Sequence, residues 1–196
     1  MSTTELFVEL LIIGVGAAIW VVLLIFSVFG YSWFALEDWL SIAALIPSLA
    51  IIYVLGIVVD RVCDRLFEPI WQTPIYKQYY DSRRVYFDDR RILYFYGKNL
   101  ANLLEYGRSR LRICRGWSLN SVLIAISLNI FVWGQTFQTS TRIKVTIFGT
   151  FAFLLFAFAN WYVWFVLVKQ SYRRVKEQSA FIRKQLSMGS SIKFDE

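Results

Sequence analysis

The stretch Leu10–Phe29 reads LLIIGVGAAIWVVLLIFSVF and contains no charged residue. A helix needs about 20 apolar residues to cross the hydrocarbon core of a bilayer, and this stretch has that length. A second uncharged stretch, residues 39–59, reads WLSIAALIPSLAIIYVLGIVV. No Lys or Arg precedes Arg61. Residues 1–59 are therefore predicted to form a transmembrane hairpin, with spans at about 10–29 and 39–59.

Two further apolar stretches follow later in the chain. Residues 117–134 read WSLNSVLIAISLNIFVWG, and residues 145–168 read VTIFGTFAFLLFAFANWYVWFVLV. Inside hydrocarbon the backbone can satisfy its polar groups only as a helix or a closed barrel, and these stretches lack the strict alternation of barrel strands. Residues 117–168 are predicted to form a second transmembrane hairpin. The predicted fold class is an all-α integral membrane protein with four transmembrane helices.

Composition supports this class. Of the 196 residues, 57% are hydrophobic and 18% are charged, whereas soluble domains carry about 25% charged residues. The N-terminal segment MSTTELFVE contains two acidic residues and no basic one. A cleaved signal peptide begins with a positively charged region, so we expect the first span to be retained.

The basic residues predict the orientation. Residues 61–116 hold 12 of the 21 Lys and Arg residues, residues 169–196 hold seven, and the connection between the third and fourth spans holds two. Loops rich in Lys and Arg stay in the cytoplasm. We therefore expect both termini, the loop 60–116 and the tail 169–196 to be cytoplasmic. The predicted location is a multi-pass position in a bacterial inner (plasma) membrane.

The cytoplasmic segments are predicted to be helical extensions of spans 2, 3 and 4. Span 2 is expected to continue until Pro69, because proline disfavours a continuing helix. The aromatic link that follows is expected to be rich in turns. A second helix is expected to begin near Asp88 and to run into the third span. The tail 169–196 is expected to extend the fourth span and to pack through Val175, Phe181, Ile182 and Leu186.

The arginines beside the spans have two interpretations. They are Arg61, Arg65, Arg108, Arg110, Arg112 and Arg115. One interpretation is a collar whose side chains reach the anionic headgroups of the bilayer. The other is a binding surface for an anionic ligand or a cytoplasmic protein. Specific nucleic-acid binding is not expected, because the basic residues are spread among apolar and acidic neighbours.

The sequence gives little support for an enzyme. The chain has no His, which removes the usual general base and metal ligand. Two cysteines, Cys63 and Cys114, are too few for a structural zinc site. Phosphate-binding and dinucleotide-binding glycine motifs are absent from the sequence. We expect no enzymatic activity, no cofactor and no metal.

Polar residues at membrane depth are the remaining candidates, since such residues often serve function. Glu5 and Glu9 share a helix face and would form carboxylate rings at a pore mouth, or would pair with nearby arginines. Asn129 and Asn160 would line a conduit or join helices through hydrogen bonds. Pro47 would kink the second span as a gating element or as a packing feature. Asn120 and Asn129 face different sides of the third span, which suggests contact with two neighbours and hence a homo-oligomer.

Two functional hypotheses follow. The first is an oligomeric membrane pore or ion channel, gated through a basic cytoplasmic helical layer; a bacterial effector channel, including one used in defence against phage, fits this plan. The alternative is a non-enzymatic accessory or scaffold subunit that docks a cytoplasmic partner.

Overall fold

The computed structural model describes residues 3–31, 42–96 and 98–190. In these residues the fold is all-α, and four helices are long and apolar enough to cross a membrane. This confirms the predicted fold at the level of four long apolar helices and favours a multi-pass membrane protein. The connection between the first two spans, residues 32–41, and the last residues, 191–196, lie outside the described ranges.

The first transmembrane hairpin consists of two closely packed antiparallel helices. Helix α1 covers Thr3–Phe29 and helix α2 covers Ile42–Phe67. Gly14 of α1 faces the backbone of Ile52, and Gly56 of α2 faces the backbone of Leu10. Helix α1 ends at Gly30, whose φ of 73° lies in the left-handed region that glycine adopts without strain.

The helix after α2 does not stop at Pro69, so that expectation was wrong. A π-helical segment, Glu68–Gln72, continues α2 directly into the short helix α3, Thr73–Lys77. Proline lacks the amide hydrogen that an α-helical turn requires. The wider π turn instead lets both the amide and the hydroxyl of Thr73 donate to the Glu68 carbonyl. The aromatic link is therefore largely helical.

Helix α4 covers Arg83–Tyr96 and helix α5 covers Lys98–Gly134, and residue 97 lies outside the described ranges. Helix α5 carries the arginine-rich stretch before residue 117 into the third span, as expected. Helix α4 begins earlier than predicted. The start lies at Ser82 because its side-chain hydroxyl accepts a hydrogen bond from the Arg84 amide at 3.3 Å. A polar side chain in this position satisfies a free amide of the first turn, which the two acidic residues at 88 and 89 do not.

Helix α6 covers Thr139–Ser190 and is the longest element of the fold, with 52 residues. It therefore continues the fourth span as a helix, as expected for the tail. Val175 and Ile182 are buried, as predicted, whereas Phe181 and Leu186 are exposed. The tail contacts α4, where Arg183 donates to Asp89 at 2.7 Å.

The long helices pack in the order α2, α1, α5 and α6. Helix α1 runs parallel to α5, because Ile13 contacts Gly116 and Gly16 contacts Asn120. Helix α6 runs antiparallel to α5, as the ring pair of Trp117 and Phe156 shows. The arginine-rich part of α5 therefore lies at the same end of the bundle as the start of α1 and the end of α2. We call this end the basic end.

Candidate functional site

The basic end is organised around Arg115, a buried residue of α5. Its guanidinium donates to Asp60 at 2.7 Å and to Asp64 at 2.5 Å, both on α2. The side chains of Arg115 and Asp60 are only 8% and 10% exposed. Two carboxylates one helical turn apart thus enclose one guanidinium, and each accepts a charge-assisted hydrogen bond from it. This cluster joins α2 to α5.

Glu9 lies next to this cluster and is also buried. Its carboxylate is 3.6 Å from the Arg112 guanidinium of α5 and is 4% exposed. The sequence left open whether Glu9 pairs with an arginine or faces a pore mouth, and within one chain the carboxylate faces Arg112. The Glu5 side chain lies outside the described part of the structure.

The intramembrane amides connect helices of the same chain. Asn120 donates to the Ile13 carbonyl at 2.8 Å and accepts from the Trp20 indole at 3.2 Å, both on α1. Asn129 donates to the Thr150 hydroxyl of α6 at 2.8 Å. The two neighbours inferred for the third span are thus α1 and α6. Polar groups on both sides of α5 do not by themselves require a second copy.

Two other candidates have simpler surroundings. Asn160 donates to the Phe156 carbonyl of its own helix at 2.9 Å. This bond does not test whether Asn160 lines a pore, so that role stays a prediction. Pro47 lies inside α2 and is exposed.

The six candidate arginines separate into two groups. Arg61, Arg65 and Arg110 are exposed, and Arg110 stacks on the Tyr106 ring with its guanidinium carbon 4.4 Å from the ring centroid. The other three line a cavity of about 400 Å³ between the helices of the basic end, and of these Arg115 is buried, Arg112 is half-buried and Arg108 is exposed.

Sequence reasoning missed the α4 and α6 walls of this cavity. Arg90 of α4 lines it, and its guanidinium carbon lies 5.7 Å and 5.6 Å from the ring centroids of Tyr86 and Tyr94. The spacing of four residues on each side of Arg90 is the sequence signal for this arrangement, since residues four apart share a helix face. Trp164 and Tyr172 of α6 line the cavity as well.

Beside the cavity, aromatic residues hold α3, α4 and α6 together. The Tyr172 ring contacts the rings of Tyr76 and Tyr86, with centroids 5.7 Å and 5.4 Å apart. The outer part of α6 is joined to α4 by Arg183, which donates to the buried Asp89 at 2.7 Å. The tyrosines of the aromatic link thus form part of a packed layer.

The surroundings of Tyr80 predict that this layer loses stability at alkaline pH. Burial raises the pKa of its hydroxyl, and the nearby Asp89 carboxylate raises that pKa further. An unfolded tyrosine releases its proton near pH 10, whereas folded Tyr80 retains it. The stabilisation from neutral Tyr80 is present below that pH and is lost as pH rises through the folded pKa.

We expect the free energy of unfolding of the wild type to fall more steeply than that of Tyr80→Phe between about pH 9 and pH 11. Chemical unfolding at several pH values in one detergent measures this difference, and the other titrating groups are common to both proteins. Parallel pH profiles would contradict the prediction.

Comparison with known proteins finds no match for this chain among protein-family models, curated proteins or solved structures. Within the described residues, no group of three or more Cys, Asp or Glu residues is placed to hold a metal ion.

Proposed function

We propose that this chain is the subunit of an oligomeric membrane pore that is gated through its basic end. In this proposal the basic end and both termini are cytoplasmic, in the inner membrane of a bacterium. The observation that carries the proposal is the continuity of α6 from the fourth span into the charged layer. At about 1.5 Å per residue, 52 residues extend about 78 Å, and the hydrocarbon core takes up about 30 Å.

A continuous helix transmits displacement. A ligand or partner that shifts the outer part of α6 relative to α4 would also shift the fourth span, because no break separates the two parts. The conduit is proposed to form between copies, since Asn120 and Asn129 are used in contacts within one chain. Assembly of several copies is thus part of the proposal.

Ion flux tests the pore directly. Purified protein in liposomes loaded with a fluorescent ion indicator, and in planar bilayers, is expected to conduct as a single-component oligomer. An absence of conductance, with and without phosphate-bearing ligands at the basic end, would contradict the proposal. Liposomes containing heat-denatured protein are the control for leakage.

The position of Glu9 yields a prediction about selectivity. Because its carboxylate faces Arg112 inside the chain, Glu9→Gln is expected to leave the reversal potential in a potassium chloride gradient unchanged. A mouth residue would shift that potential when its charge is removed. A changed reversal potential would therefore place Glu9 at the mouth. Glu177→Gln is the control, because Glu177 is an exposed partner of Arg173 on α6.

A second candidate function is a scaffold subunit that docks a cytoplasmic protein. Its support is a set of exposed aromatic side chains beyond the spans: Phe87, Phe95, Tyr96 and Phe181. Aromatic residues are enriched at protein interfaces. Purification from the native membrane distinguishes the two functions, since a stable hetero-complex supports the scaffold and a symmetric oligomer of one chain supports the pore.

A further inference from the structure

We propose that the cavity at the basic end binds a phosphate-bearing anion. The cavity holds about 400 Å³ between α2, α4, α5 and α6, within the range of about 300–1,000 Å³ that is usual for ligand pockets. This proposal adds a ligand class to the proposed function. The role of the ligand in gating rests on that function. Binding itself stands on the cavity alone.

The charge of the cavity wall favours an anion. Four arginines line it, together with one carboxylate, that of Asp64. Asp64 is already bound to Arg115, which also binds Asp60. These three residues together carry one net negative charge. The three further guanidiniums that line the cavity carry three positive charges, so the lining is positive overall.

Those three guanidiniums belong to Arg90, Arg108 and Arg112. Arg112 has Glu9 as a distant partner at 3.6 Å. Among the side chains that the structure describes, which exclude those of residues 97–105, no carboxylate lies within ion-pair distance of Arg90 or Arg108. Arg90 instead lies against two tyrosine rings and donates to the Tyr94 hydroxyl at 3.2 Å. Guanidiniums held in this way present planar donors that match phosphate oxygens.

The remaining wall suits an ester of phosphate better than a free inorganic ion. The cavity lining includes the apolar side chains of Trp164, Val168 and Leu111 and the rings of Tyr86 and Phe87. Such surfaces would contact the organic part of a ligand, while the arginines bind its phosphate. The hydroxyl of Ser171 and the amide of Gln72 add neutral hydrogen-bonding groups.

Two sources could supply this chemistry. The cavity lies where α5 and α6 leave the apolar spans, so the headgroup of an anionic phospholipid could enter from the bilayer. A soluble organic phosphate could enter from the aqueous side past Arg90 and Arg108. Either ligand would bridge α4 and α5 through these two arginines, and would thereby fix the outer layer against the third span.

The experiment uses the full chain in nanodiscs and measures binding without reference to conductance. One arm compares discs of phosphatidylcholine alone with discs that contain phosphatidylglycerol, and quantifies the phosphatidylglycerol that co-purifies. The other arm titrates ATP, as a representative organic phosphate, into phosphatidylcholine discs and follows tryptophan fluorescence. Retention of phosphatidylglycerol assigns the lipid source, saturable ATP binding assigns the soluble source, and either result supports the site.

The test variant is Arg90→Gln with Arg108→Gln. Its matched control is Arg91→Gln with Arg110→Gln, which removes the same charge from the same two helices at exposed positions outside the cavity. Two lost charge-assisted hydrogen bonds correspond to a loss of affinity of about tenfold or more. The control is expected to stay within about twofold of the wild type.

A filling variant, Ser171→Phe, retains every charge and is expected to abolish binding by occupying the cavity. It keeps the test decisive if the double glutamine variant fails to fold. Equal losses in the test and control pairs, or unchanged binding in Ser171→Phe, would overturn the site, as would a lack of both lipid retention and ATP binding. A protein that binds but does not conduct would retain this site and contradict only the pore.

Discussion

Replacing Gly14 or Gly56 with alanine is expected to destabilise the first transmembrane hairpin more than any other single-methyl change in α1 and α2. A Cβ atom at Gly14 would lie 1.9 Å from the Ile52 carbonyl oxygen, and one at Gly56 would lie 2.0 Å from the Leu10 carbonyl oxygen. Both obstacles are backbone atoms of the partner helix, so neither can rotate away. The helices must separate instead.

The expected cost is about 3 kcal/mol for each variant, the upper part of the range for overpacking. The loss of close contact matters in a membrane, because small residues let helices approach and gain van der Waals contact that lipid cannot replace. Unfolding in mixed micelles with increasing dodecyl sulfate, followed by tryptophan fluorescence, measures the free energy. Stability within about 0.5 kcal/mol of the wild type would show that the two helices are farther apart than described.

Gly107→Ala is the matched control. Gly107 lies inside α5, and apart from its two chain neighbours and the backbone of its own helix, no described atom lies within 4 Å of the position that its Cβ would take. Alanine in a helix is favoured over glycine by up to about 1 kcal/mol. The same chemical change is therefore expected to stabilise the protein at Gly107 and to destabilise it at Gly14 and Gly56.

The four spans could be predicted because hydrocarbon leaves a long apolar stretch no alternative to the helix. The close approach at Gly14 has a sequence signal as well, because Gly14 and Ala18 are small residues one helical turn apart, a spacing typical of close helix packing in membranes. The wrong predictions of helix ends concern residues beyond the spans. There the backbone is also exposed to water and to neighbouring helices. At Pro69 a wider turn, closed by Thr73, keeps the helix intact. At Ser82 a single side-chain hydroxyl sets the start of α4.

The basic end was predictable as a region but not as a set of contacts. The three-residue spacing of Arg61 and Asp64 predicts an ion pair on one helix, and their side-chain atoms lie 3.8 Å apart. The stronger partner of Asp64 is Arg115, which lies far away in the chain. Pairs of this kind depend on how α2 and α5 pack, and the periodicity of one helix carries no information about its neighbour.

Replacing Arg115 with methionine is expected to cost about 3–5 kcal/mol, because it leaves the buried Asp60 carboxylate without a counter-ion. Methionine retains much of the side-chain length, so the effect reports the charge more than a cavity. Arg110→Met is the control. Arg110 is exposed and stacks on Tyr106, and an exposed cation–π contact contributes only about 0.5–1 kcal/mol. The free energy of unfolding in detergent micelles compares the two variants.

Asp60→Asn in the Arg115→Met background separates two explanations for that cost. If it arises from an unpaired buried carboxylate, neutralising Asp60 is expected to restore stability, with a coupling energy of about 2 kcal/mol or more. Asp64 needs no second substitution, because its side chain is 44% exposed and water can solvate it. If the cost arises from lost packing around Arg115, the two substitutions will add. Additive costs would mean that the ion cluster contributes little to holding α2 against α5, and that glycine packing through α1 fixes the position of α2.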